Sequence, residues 1–163
     1  MDEPPFPIRA LRRLAHGAVR RLHAVRRRWW SRTRPRTAGV HAVPLTPDGQ
    51  IVLVRLSYAP GWRLPGGGRK RGEEPEAAIR RELREEIGLL RCARLERVGG
   101  FRHRPDFRDD RSDLFVARGV EYRFRWSLEV AEARAFAPDA LPAELPPITR
   151  RLLRLAEGAL RGG

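Results

Sequence analysis

Cysteine occurs once, at Cys92. That excludes a disulfide framework and a thiolate zinc cluster, and it points to a reducing compartment. Lysine also occurs once, at Lys70, so nearly all positive charge is guanidinium. The planar guanidinium fork suits phosphate oxygens. A GC-rich coding background produces the same arginine bias, and composition does not separate the two. No stretch approaches the ~20 apolar residues of a membrane span. No apolar segment of the secretory type follows the N-terminus, so a cytoplasmic protein is expected. What is present is a chain of 163 residues, 41% hydrophobic, enough to bury the core of one domain with a short appendage.

The formal net charge of +14 is unevenly placed. Residues 1–37 hold eleven arginines against Asp2 and Glu3, a net +9, which leaves +5 for everything after them. Within this arm Ile8, Leu11, Leu14, Ala18, Leu22, Val25 and Trp29 recur every three or four residues, the period of an amphipathic helix. Pro35 then breaks the pattern. The expected division is a basic helical arm and linker over residues 1–36 and a folded domain over 37–163. The arm's apolar stripe fits packing on the domain. Its charge fits weak association with an anionic membrane or nucleic acid. Its Arg-rich, amphipathic character also fits a mitochondrial targeting segment, against which Asp2, Glu3 and three early prolines count.

From residue 38 the texture becomes β-rich. "AGVHAVPLT" and "QIVLVRLSY" flank Asp48-Gly49, which predicts a hairpin turn. "APGWRLPGGGRKRG" is too rich in Gly and Pro for a regular element. A helix is predicted from Pro75, where the missing N–H costs nothing, to about Ile87, with Gly88 as its stop. "CARLERVGGF" and "SDLFVARGV" predict strands. The first half of "YRFRWSLEVAEARAF" suits a strand or a helix, and "APDALPAEL" a turn or short helix. A C-terminal helix should bury Ile148, Leu152, Leu155 and Leu160. The order implies an α/β domain with a mixed sheet.

Glu82, Glu85 and Glu86 fall within about a 100° sector of the predicted helix, beside the apolar stripe of Ile79, Leu83 and Ile87. Carboxylates crowded at a buried edge cost several kcal/mol unless a cation meets them. Arg81 lies one turn from Glu85, but clustered oxygen donors match a hard divalent cation better. The three read most simply as a magnesium site, with manganese as the alternative ion. Gly66, Gly67 and Gly68 let the backbone come close to a ligand.

Gly67, Glu73 and the run Arg81-Glu82-Leu83-Arg84-Glu85-Glu86-Ile87-Gly88-Leu89 match the Nudix box, Gly-x5-Glu-x7-Arg-Glu-U-x-Glu-Glu-x-Gly-U with U apolar, at every defined position. Residues 37 to 157 resemble the Nudix hydrolase family, and the arm lies outside the resemblance. The resemblance implies an α/β/α sandwich that hydrolyses the pyrophosphate bond of a nucleoside diphosphate linked to another group. It implies Glu82, Glu85 and Glu86 as metal-binding carboxylates, the Gly67 carbonyl as a further ligand, and a Glu73–Arg81 pair bracing the loop.

The base is expected among the box glutamates, Glu85 and Glu86, or on a later loop, where Asp110 and Asp113 are the candidates within "RPDFRDDRSD". Arg63, Arg69 and Arg71 are candidate phosphate contacts, and Trp62 a base-stacking residue alongside Tyr58 and Phe107. His41 and His103 receive no role. Pro105, where ADP-ribose-cleaving relatives often carry proline, tilts the substrate towards ADP-ribose or a nucleotide sugar, ahead of nucleoside triphosphates and dinucleoside polyphosphates. A homodimer is a further expectation. The rival reading is a non-catalytic Nudix domain that binds a nucleotide or partner, tethered by the basic arm; the intact box speaks for turnover.

Overall fold

A computed structural model describes residues 36–103 and 109–161. The readings of the arm, and those of Pro105 and Phe107, fall outside the described residues. Among the described residues, nine strands and two helices follow in the order β1 Arg36–Pro44, β2 Ile51–Leu56, β3 Trp62–Arg63, β4 Gly66–Gly68, α1 Pro75–Ile87, β5 Leu89–Arg91, β6 Arg94–His103, β7 Asp109–Arg118, β8 Glu121–Tyr122, β9 Val130–Phe136 and α2 Pro147–Arg161. Among the described residues no helix is long and apolar enough to cross a membrane.

A four-stranded mixed sheet has the order β4-β1-β7-β6, with β1 and β7 parallel and the outer pairs antiparallel. A second, antiparallel sheet has the order β3-β2-β9, and β5 and β8 form a short ribbon. Strand alternation sends successive side chains to opposite faces. On β2, Ile51 and Leu53 therefore join the core under α2, while Val52 and Val54 join the core under α1. On β7, Leu114 and Val116 go with the first and Phe115 and Ala117 with the second. Two apolar layers under two helices make the expected α/β/α sandwich.

The Asp48-Gly49 turn forms, with Gly49 at φ 80° and the Thr46 hydroxyl accepting the Gln50 N–H at 2.9 Å. It does not produce a hairpin. After the single bridge Leu45–Ile51 the strands part into different sheets, because both edges of β1 are already taken by β4 and β7. The second half of "YRFRWSLEVAEARAF" supplies β9, not the first. On α2, Leu155 is exposed, and Thr149, Leu152, Leu153 and Ala156 are the buried residues. The expected polar loop ends at Asp109, where β7 begins, so Asp110 and Asp113 stand on a strand.

Candidate active site

Helix α1 begins as its sequence dictates. Glu74 caps it in extended conformation, Pro75 occupies the first turn, and Gly88 ends it at φ 69°, donating its N–H to the Arg84 and Leu83 carbonyls. Ala78, Ile79, Leu83 and Ile87 bury the apolar stripe. Glu82 and Glu86, on its border, are buried with it, and Glu85 is exposed.

Strand β4 comes against this border. The Gly66 N–H donates to Glu86 Oε2 at 2.8 Å. Gly66 has φ 153°, and a Cβ there would stand 2.2 Å from the Val40 carbonyl oxygen. Only glycine fits. A Cβ on Gly67 would come within 2.6 Å of the Glu82 carboxylate. The glycine run thus lets backbone approach two carboxylates as closely as a ligand would.

Arg81 organises the loop. Its Nε and Nη2 donate to both oxygens of Glu73 at 2.9 Å, a bidentate fork. Nη1 donates to Glu82 at 2.7 Å and to Glu85 at 3.3 Å, and Nη2 also reaches the Gly68 carbonyl at 2.9 Å. The Arg81 guanidinium and the Lys70 N–H hold the Glu73 carboxyl down to about 2. Arg69 clamps the same turn, with Nε and Nη2 on the Glu73 carbonyl at 3.0 and 2.6 Å.

Glu86 is in the opposite situation. Burial, against one backbone N–H and with Glu82, Glu129 and Glu85 adding negative charge, pushes its carboxyl up to about 8. Burial also raises Glu82, against the pull of Arg81. These carboxylates share too little positive charge. Glu129, exposed on the turn before β9, contributes to that field on both. Its place beside the box depends on β9 pairing with β2, a long-range contact with no local sequence signal.

A cleft of about 110 Å³ opens beside Glu86 and Gly66, with His41, Arg63, Leu64 and Thr149 among its walls. Arg63 is therefore the arginine that the fold brings next to the box carboxylates within the cleft. Arg69 turns into the loop and towards Asp113, and Arg71 is exposed on the turn before α1. Trp62 does not present a free face for a base. It is buried edge-on against Phe136 at 4.9 Å between centroids, with Arg55 and Arg134 over its ring.

Asp110 and Asp113 are three apart on β7, so they lie on opposite faces of the sheet. Asp110 is buried and accepts hydrogen bonds from the Thr37 and Ser112 hydroxyls. Asp113 is held by Arg97 at 2.5 and 2.9 Å and lies 3.8 Å from Arg69. Both carboxylates are engaged within the sheet, which leaves neither the open approach to water that a loop base would have.

Among the described residues no three acidic, His or Cys side chains converge into a preformed metal cage. The donors nonetheless suit a hard divalent cation. Three carboxylates and the carbonyl of Gly67 offer oxygen only, Glu82 and Glu86 are desolvated, and the Arg81 guanidinium donates to Glu82 and Glu85.

A glycine loop clasped to a helix bearing three glutamates, on a sheet covered by helices on both faces, defines an α/β/α enzyme of the Nudix class. The sequence matches the NUDIX domain family over residues 35–156. A "Putative 8-oxo-dGTP diphosphatase" of Bacillus subtilis (strain 168) is 32% identical over 115 residues, covering 71% of this chain and 76% of that protein. An RNA pyrophosphohydrolase of Xanthomonas campestris pv. campestris (strain B100) is 45% identical over 51 residues, 31% of this chain and a quarter of that protein's length. The crystal structure of a MutT NUDIX hydrolase from Burkholderia pseudomallei superposes with a TM-score of 0.64 at 28% identity, covering 74% of this chain and 97% of that one. The chain belongs to the Nudix family. It is a hydrolase of phosphoric anhydride bonds, and the family generally works with divalent metal ions.

Proposed function

We propose that this enzyme uses Mg²⁺, or Mn²⁺ in its place, to hydrolyse the pyrophosphate bond of a nucleoside diphosphate bearing a further group. The observation that carries the reading is the buried Glu86 beside Glu82 and Glu85, short of positive charge, with glycine backbone pressed against it. The bound ion would draw charge off the phosphate oxygens and make water a better nucleophile. Glu82, Glu85, Glu86 and the Gly67 carbonyl would hold it. Glu85, exposed and reached by Arg81 at 3.3 Å, is the box carboxylate best placed to take a proton from water. Arg63 would contact the phosphates from the cleft wall, and Glu73 with Arg81 would keep loop and helix in register. The substrate is nucleotide-like, and weak association of the basic arm with anionic surfaces would be a separate property of residues 1–36.

For the group beyond the pyrophosphate, a nucleoside triphosphate becomes the leading choice, on the relative of Bacillus subtilis that shares most of this chain. ADP-ribose or a nucleotide sugar is the second reading, resting on Pro105 in the sequence. A panel of nucleoside triphosphates (8-oxo-dGTP included), ADP-ribose, nucleotide sugars and dinucleoside polyphosphates, with the nucleotide products separated and measured, tests both. Turnover that persists in chelator would overturn the metal assignment, and preference for ADP-ribose would reverse the order.

A further inference from the structure

On the α1 face of the four-stranded sheet, a row of arginines runs outward from the box. Arg69, one residue past β4, donates its N–H to the Ala38 carbonyl on β1 at 2.9 Å. Ala38 is the register partner of Arg111 on β7, and Arg111 is the register partner of Arg102 on β6. Three strand spacings, about 14 Å, therefore carry Arg69, Arg111 and Arg102 in line. Arg111 and Arg102 are exposed, and among the described residues neither has an acidic partner. Like charges placed directly opposite each other across a ladder repel. Asp113, two residues along β7 on the same face as Arg111, is already engaged by Arg97 and Arg69.

Helix α1 packs chiefly on β4, β1 and β5. Gly100, opposite Asp113 on this face, is exposed, and a Cβ there would meet Arg97 Nη2 at 3.6 Å and Asp113 Oδ1 at 3.7 Å. Residues 1–35, with ten arginines, join the fold at this same end, since Arg36 pairs in register with Asp109.

We propose that this row is a phosphate track that binds the phosphodiester backbone of a single-stranded oligonucleotide. Its spacing exceeds what a mononucleotide's own phosphates can reach once they occupy the box. Among the described residues no aromatic side chain stands on the row, so the track reads backbone charge and not base identity. RNA and DNA strands present the same phosphodiester and bind alike. That a polyphosphorylated 5′ end would lie at the box rests on the function proposed above; the binding itself does not.

The test is anisotropy of labelled single-stranded RNA and DNA oligonucleotides with the full chain in EDTA, across a salt series. For R102S/R111S, binding weakens for every sequence, and the slope of log K against log salt falls by about 1.4, at about 0.7 per phosphate contact in a single strand. R154S/R161S removes equal charge from exposed positions of α2 and changes the slope much less. Melting of R102S/R111S should occur no lower than that of the unaltered protein, because a repelling pair is removed. Unchanged binding in R102S/R111S, or an equal loss in the α2 pair, overturns the track. Binding to RNA alone overturns the backbone reading. Because no turnover enters this measurement, an inactive enzyme with an intact track would count against the proposed function only.

Discussion

Glu86 has almost everything against its ionisation: burial, three neighbouring carboxylates and a single N–H donor at 2.8 Å. Replacing it by Gln keeps the acceptor for the Gly66 N–H and removes the charge. Glu86→Gln should therefore melt at or above the temperature of the unaltered protein, while kcat falls by about 10²-fold or more, the scale on which loss of such a group is felt. Glu85→Gln should lose activity to a similar extent with no change in melting. A melting temperature well below the parent's in Glu86→Gln would mean that its charge is stabilising. Glu73 reports the reverse. Its carboxyl titrates near 2 in the folded protein, well below its usual 4.5, because Arg81 and the Lys70 N–H favour the ion. The unfolded chain binds the proton first, so stability from this group is complete above about 4.5 and is lost as pH falls towards 2. Melting of Glu73→Gln should trail the unaltered protein at neutral pH, and the gap should close between pH 4.5 and 2. A gap that stays constant over that window would remove the charge from the explanation.

Two glycines at the ends of the box test how the elements are joined. Gly88 sits at φ 69° with the Arg123 carbonyl oxygen 2.2 Å from where a Cβ would stand. Gly88→Ala should cost more than about 1 kcal/mol and lower Tm by several degrees. Gly67 has no such backbone demand, and the atoms in its way belong to Glu82. Gly67→Ala should spare Tm and raise the metal concentration for half-maximal activity by about tenfold or more. Equal melting losses in both would dissolve the distinction. The same helix shows what a sequence discloses. Pro75, the Ile79–Leu83–Ile87 stripe and Gly88 state α1 in local chemistry, and the box glutamates ride on it. Strand β9 is stated by nothing local. "VAEARAF" alternates small and charged residues, and it becomes a strand because Ala133 and Ala135 fill the space β2 leaves over the α1 core. Asp110 and Asp113 sat in a run polar enough to read as a loop. Pairing with β1 and β6 made it a strand and sent the two carboxylates to different partners.

At the scale of the molecule, the box carboxylates, the cleft and both cores lie between residues 36 and 161. Deleting residues 1–34 should leave turnover of a small substrate within a few-fold of the full chain, as the rate of nucleoside monophosphate formation would show. Loss of turnover in a truncated protein that melts like the full-length one would place the arm in the active site. Association with anionic vesicles, if the arm provides it, should fall with salt and vanish on deletion. The parallel pairing of β1 with β7 has a further consequence, for synthesis. Thr37 and its partner Asp110 are separated by 73 residues. At ~5–20 residues per second the ribosome needs about 4 to 15 s to make the intervening chain. Throughout that interval β1, an apolar strand, has emerged with its β7 edge unclaimed, the condition under which nascent chains on one polysome stick to each other. The ten arginines made just before it give every nascent chain a like-charged leader, so neighbouring copies repel one another while the strand waits for its partner.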